Sequence, residues 1–245
     1  METEYEQSQQ RPEEPAEQMV AMGPSSRVRA GLAVLHLFAN PSQSYDPEDA
    51  LRVVKDAQNH GAQVMTVALL GHRAQTAVMA LHPDLRVLRE LQVGLVRAGL
   101  VLGDSFLSIT EVSEYSQHLS EERKRPRLYP ELPPAGLPNW CFYPMLKRRE
   151  GDFNWYALPY QERERLMYGH GASGRKFAGR VLQLVTGATG LSEWEWGVTL
   201  FAERPDDIKD VVYTLRYDEA SARYGEFGRF YVGYLDDPAE VLARA

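Results

Sequence analysis

This chain of 245 residues has a single cysteine, Cys141, which excludes an internal disulfide and fits a reducing cytoplasm. It has no apolar run of about 18 residues, so a membrane-spanning helix is not expected. The first 26 residues, METEYEQSQQRPEEPAEQMVAMGPSS, lack an apolar signal-peptide core and are rich in Glu, Gln and Pro. They read as a disordered acidic tail. Positive charge is also short: 27 Lys and Arg against 34 Asp and Glu give −7, a poor balance for nucleic acid. No G-x-S-x-G elbow is present, and neither Cys141 nor any histidine has a second ligand at zinc spacing. "GHGASG" has the spacing of a phosphate loop, but it sits late in a helical stretch with no buried strand leading into it.

What the chain does have is enough apolar residue, 44%, to bury a core, and a recurring order of elements. "VRAGLAVLHLF" reads as a buried strand. "DPEDALRVVKDAQNHG" follows with Asp46 as N-cap, Pro47 at the first helical position and Gly61 as stop. "AQVMTVALLG" and "TAVMAL" read as strands, "PDLRVLRELQVGLVRAG" as an amphipathic helix and "LVLGDSFLSITEVSEY" as a strand. The order β-α-β-β-α-β is the ferredoxin-like motif. "SEERKRPRLYPELPPAGLPN" has five prolines and no apolar periodicity, as a linker would.

The order then repeats. "WCFYPML" is a strand, "LPYQERERLMYGHGASGRKFAG" a helix, and "RVLQLVTG" and "WEWGVTLFA" are strands. "PDDIKDVVYTLRYDEASARYG" reads as a helix and "FGRFYVGYL" as the last strand. The expected fold is therefore α+β: two tandem ferredoxin-like units with adjacent antiparallel sheets and helices outside. The divisions are a tail (1–26), a first unit (27–119), a Pro/Arg-rich linker (120–139) and a second unit (140–245).

Charge is unevenly spread. Between Arg123 and Arg180 stand twelve Lys or Arg and five Asp or Glu, a net +7 that leaves −14 for the rest. Such a region suits a small polyanion, because Arg and Lys bind carboxylates through charge-assisted hydrogen bonds. In the helix within it, Gly169, Gly171 and Gly174 surround His170. Each glycine costs a helix interior about 1 kcal/mol, so their presence calls for a close neighbour. Helical spacing puts Arg163, Leu166, Met167, His170 and Gly174 on one stripe. Alternation puts Tyr143, Met145 and Lys147 on one side of their strand, and Val181, Gln183 and Val185 on one side of theirs. The result is a flat slot with a basic rim. One histidine suffices as the protein ligand of a haem iron.

The segments "RPRLYPELP", "CFYPMLKRREGDFNWYALPYQERERLMYGHGASGRKFAG" and "EWEWGVTLFAERPDDIKDVVYTLRYDEASARYGEFGRFYVG" resemble the iron-coproporphyrin III (coproheme) decarboxylases of the chlorite-dismutase-like superfamily. The match runs from about Arg123 to Leu235. The resemblance implies two ferredoxin-like units per chain and a cytoplasmic homopentamer. It assigns His170 as axial iron ligand and Tyr143 as catalytic tyrosine. It also assigns Tyr143, Pro144, Met145, Leu146 and Lys147 as the lining of the substrate site. Arg127 and Ser221 match propionate-binding positions, Arg175 a further carboxylate partner and Gln183 the distal glutamine. Two positions depart from the family: Leu146 replaces a small polar residue, and the stretch from Arg127 to Tyr143 is about two residues longer.

The activity so implied is hydrogen-peroxide-dependent conversion of two propionates of iron coproporphyrin III to vinyl groups, giving haem b. The substrate serves as its own cofactor, and Tyr143 relays oxidation to the propionate. The alternatives are a chlorite dismutase, which uses a distal arginine where this chain has Gln183, and a non-catalytic haem-binding or haem-sensing protein, which needs only His170. His118 reads as a surface residue, with distal assistance the lesser reading.

Overall fold

The computed structural model describes residues 25–245, so the expected tail over 1–26 lies, apart from its last two residues, outside the described residues. The first unit runs β1 (Ala33–Pro41), α1 (Pro47–Asn59), β2 (Gln63–Leu70), β3 (Thr76–His82), α2 (Leu85–Arg97) and β4 (Leu100–Thr110). After α3 (Glu121–Leu128) comes the second: β5 (Asn139–Lys147), α4 (Tyr160–Arg175), β6 (Val181–Gly187), β7 (Trp196–Ala202) and α5 (Pro205–Arg216). The chain ends with α6 (Glu219–Tyr224), β8 (Gly225–Phe227), β9 (Tyr231–Asp236) and α7 (Pro238–Ala243).

Local chemistry sets these limits. The Asp46 carboxylate accepts from the backbone N–H groups of Glu48 and Asp49 at 2.9 and 3.1 Å, and Pro47 opens α1. The buried stripe of α2, Leu88, Leu91 and Leu95, packs with Ala50 and Val54 of α1 over Leu35 and Leu37 of β1. Each of these leucines contributes roughly 2 kcal/mol.

The two sheets do more than lie side by side. The fourth strand of each unit pairs with the second strand of the other: β2 with β9 through five residue pairs, β4 with β6 through two, Ile109↔Gly187 and Thr110↔Thr186. With β5 also bonded to both β7 and β9, eight antiparallel strands form a closed ring, and β8 adds a short ninth strand beside β5. Closure removes the sheet edges. Phe38, Phe106, Trp140, Phe142 and Phe201 fill the interior, and the helices pack outside.

Three segments differ from the sequence-based expectation. The 120–139 stretch carries α3, whose first turn holds Glu121 and Glu122 and whose last holds Arg125 and Arg127, the charge order that favours a helix dipole. It buries no residue, so no apolar periodicity marks it. The helix read through "YTLRYDEASARYG" breaks at Asp218, which has extended backbone and caps α6 by accepting from the Ser221 N–H at 3.2 Å. The last strand is two, β8 and β9, on the same side of β5.

Candidate functional site

Alternation along β5 turns Trp140 and Phe142 into the barrel and Cys141, Tyr143, Met145 and Lys147 outward, beneath α5 and α6. Tyr143 is buried, its ring stacked on Phe230 at 4.4 Å and edge-on to Phe227 at 5.8 Å. Burial raises its phenol well above the usual range, the neighbouring Cys141 adds to this, and Arg216 opposes it. The phenol thus keeps its hydrogen, and among the described residues no partner takes a hydrogen bond from it. Pro144 sits opposite the gap between the end of β8 and the start of β9. Its carbonyl accepts from the Gly228 N–H at 2.8 Å, and its lack of an N–H costs no ladder bond. Pro144 and half-buried Leu146 take the opposite face from Tyr143, so the continuous lining expected over 143–147 is split between two faces.

Lys147 is turned away from solvent. Its Nζ donates to the Ala220 carbonyl at 2.8 Å and lies 4.5 Å from the Trp155 ring centre. Its backbone N–H donates to Glu195 Oε2 at 2.8 Å. Burial pushes its ammonium down to about 8, against the pull of Asp218 and Glu195. In this position Lys147 anchors α6 to β5 rather than rimming a slot.

His170, on α4, points Nδ1 at Asp218 Oδ2, 2.5 Å away. Ser221 Oγ donates to the same carboxylate oxygen at 3.3 Å and lies 3.5 Å from His170 Nδ1. Burial pulls the Asp218 carboxyl upward, but hydrogen bonds from His170 and the backbone N–H groups of Ser221 and Ala220, with the histidine's charge, hold it below the usual range. One turn beyond His170, a Cβ built on Gly174 would stand 3.1 Å from Gln183 Nε2. The glycine thus allows α4 to meet β6, where Gln183, expected on the strand opposite the helix, is its neighbour. On the outer face, Tyr143 pairs with Val198 and Val198 with Val185, two residues from Gln183. Strand geometry then separates Tyr143 and Gln183 by roughly 12 Å, and Val185 is left exposed beside them.

The other expected residues stand apart. Arg127 is exposed on α3, its guanidinium donating to the Arg123 carbonyl at 2.7 Å. Arg175 is exposed at the end of α4, 5.8 Å from the Tyr168 ring centre. His118 is exposed in the loop after β4. Sequence reading missed Asp218, Glu195 and Trp155. Only Asp218 carried a signal, an Asp three residues before Ser221 at a helix start.

Among the described residues no group of three His, Cys, Asp or Glu could hold a bare metal ion. A single imidazole with its second nitrogen held by a carboxylate is instead the protein's share of a macrocycle-bound iron, because the macrocycle supplies the other ligands. His170 fits that role, and the glycines beside it leave the helix surface low enough for a flat group.

Comparison with known proteins finds relatives in sequence and in fold. The family model for chlorite dismutase matches residues 46–235. A coproheme decarboxylase of Thermus thermophilus is 47% identical over 178 residues, 70% of this chain and 71% of that protein. One from Staphylococcus carnosus is 40% identical over 208 residues, 81% and 82% of the two chains. Among solved structures, a heme-binding protein from Thermus thermophilus superposes with a TM-score of 0.77 at 38% identity, covering 90% of this chain and 96% of its own. A mutant chlorite dismutase from Candidatus Nitrospira defluvii shares the fold at a TM-score of 0.71 and 16% identity, covering 89% and 96%. With a model matching well over half its length and such relatives, the chain belongs to the chlorite dismutase family.

Proposed function

We propose that this chain is a coproheme decarboxylase, converting two propionates of iron coproporphyrin III to vinyl groups and releasing haem b. One observation carries the reading: α4 holds an imidazole against a buried carboxylate beside helix glycines that leave room for a flat group, while β5 carries a buried tyrosine on the outer face of the barrel. His170 Nε2 is the iron ligand. Gln183 is the neutral residue on the distal side. Ser221 takes one propionate, and Arg127 and Arg175, both exposed, take others.

The substrate's own iron, with hydrogen peroxide, supplies the oxidising power. Tyr143 gives up its phenolic hydrogen and takes one from the propionate carbon next to the ring. Loss of carbon dioxide and one further electron leaves the vinyl group. Each propionate and one peroxide thus yield one vinyl, one carbon dioxide and two waters. Burial of Tyr143 keeps its hydrogen in place and keeps water from quenching the radical. The enzyme works in the cytoplasm as a homopentamer, which light scattering tests.

The deciding experiment adds iron coproporphyrin III and peroxide to the protein and follows porphyrin mass. Appearance of haem b is the expected result, and an unchanged porphyrin overturns the reading. In a parallel binding titration, His170→Ala should weaken uptake and shift the ferric absorption spectrum; a wild-type spectrum would mean that another residue holds the iron.

A further inference from the structure

The reading above, on which this inference rests, gives hydrogen peroxide no acid or base. Peroxide must lose a proton from one oxygen and gain one on the oxygen that leaves as water. A positioned side chain speeds such a transfer by about 10²–10⁴-fold. On the sheet face that α4 covers, the outward residues Tyr143, Met145, Gln183, Val185, Trp196 and Val198 include no carboxylate and no imidazole. Gln183 is an amide and does not trade protons near neutral pH. Lys147 is turned away beneath α6.

The end of β4 brings what that face lacks. It pairs with β6 through Ile109↔Gly187 and Thr110↔Thr186, and Ser108 meets Thr186 in the lumen at 2.8 Å. Alternation therefore turns Ile109 and Glu111 outward, and the same register carries Glu111 beside Val185. Val185 pairs with Val198 and Val198 with Tyr143. Glu111 and Tyr143 thus end one row of the sheet, roughly 14 Å apart across three strand spacings. The Glu111 carboxylate is held over this face. Trp196 Nε1 donates to its Oε1 at 3.1 Å, and a Cβ added to Gly187 would stand 2.5 Å from its Oε2. Glycine at 187 leaves the space that the carboxylate fills. Glu111 is also exposed, so a small oxidant in water can reach it.

We propose that Glu111 is the acid–base residue for peroxide. Its carboxylate takes the proton from one peroxide oxygen and returns it to the other. The O–O bond then breaks, the protonated oxygen leaves as water, and the iron porphyrin gives up two electrons. Proton handling and hydrogen relay are thereby divided between the two ends of one row, Glu111 at one and Tyr143 at the other.

The test uses the full chain loaded with ferric iron coproporphyrin III. Hydrogen cyanide binds the iron after losing its proton, so its association rate reads proton removal with no decarboxylation. Neutral imidazole binds without losing one. Glu111→Gln keeps an acceptor for the Trp196 indole and the same bulk over Gly187, so circular dichroism and porphyrin uptake should match wild type. Cyanide association should fall about 100-fold, while imidazole association stays the same. Glu111→Asp should recover part of the cyanide rate. Gly187→Ala keeps the charge but pushes the carboxylate aside, and should slow cyanide as well. His118→Gln should leave both ligands unaffected.

A wild-type cyanide rate in Glu111→Gln overturns the proposal, and so does slowing by His118→Gln in its place. Equal slowing of cyanide and imidazole would make Glu111 a structural support and overturns it too. Failure of the wild type to form haem b sinks the functional reading instead, while the cyanide rates still judge Glu111.

Discussion

At the scale of single residues, Tyr143 carries the decarboxylase reading and Gln183 separates it from its rival. Phenylalanine at 143 keeps the stack on Phe230 and the contact with Phe227 but removes the phenolic hydrogen. Binding of iron coproporphyrin III should stay near wild type, since His170 and its partners are untouched. Decarboxylation should fall to background, a loss in kcat rather than in binding. Comparing titrations and product mass under equal peroxide checks this, and haem b formed at a wild-type rate would make Tyr143 a packing residue. Gln183 is neutral, so it cannot supply the charge that an arginine offers to chlorite. Oxygen release from chlorite by the haem-loaded protein should be negligible on an oxygen electrode; rapid release would reverse the ranking of the two activities.

At the scale of elements, α4 shows how stability yields to a site. Gly174 lies inside the helix, where alanine is favoured by about 1 kcal/mol. The added Cβ would stand 3.1 Å from Gln183 Nε2, the free end of a flexible side chain that can move aside. Gly174→Ala should therefore raise Tm by roughly 2–4 °C. The same change pushes Gln183 from its place and narrows the slot, so iron porphyrin should bind more weakly. Thermal melts beside optical titrations test both halves, and a lower Tm would show that Gln183 is held too firmly to give. Much of this element was legible because its signals are local: glycines beside His170, Asp46 and Pro47 opening α1, alternation along β5. What stayed hidden depends on distant partners. Asp218 sits in an acidic, helix-like run and reads as a solvated surface until the fold brings His170 to it. Lys147 reads as a rim charge because nothing in "YPMLK" reveals that α6 covers it. Helix α3 buries no side chain, so it left no pattern to find.

At the scale of the whole molecule, the closed barrel was the least legible feature, since closure depends on pairings such as Thr66↔Asp236 between residues far apart in sequence. The two units are also tied through the lumen. Ser108 of β4 and Thr186 of β6 share a hydrogen bond at 2.8 Å, at the seam with only two residue pairs. His36 of β1 reaches Thr199 of β7 at 3.0 Å, among the rings of Phe38, Phe106, Trp140 and Phe142. It is fully buried, and its Nδ1 has no hydrogen-bond partner among the described residues. Burial pushes its imidazole from the ordinary 6.5 down to about 3. The unfolded chain therefore takes up a proton on His36 below about pH 6.5, while the folded protein refuses it until about pH 3. Stability must fall with pH across that window, because the unfolded state binds the extra proton. Between pH 6.5 and 4.5 this residue alone should cost roughly 2 kcal/mol. Carboxylates held below their usual range, such as Asp84 and Asp218, also lose stability as acid is added, so the total loss is not specific to the barrel. His36→Gln isolates the effect, since glutamine can still bond Thr199 but does not titrate. Urea unfolding of both proteins at pH 7 and pH 4.5 should show the wild type losing roughly 2–3 kcal/mol more than the variant. Equal losses would mean that the folded barrel admits the proton, and that His36 does not set the acid limit of the closed fold.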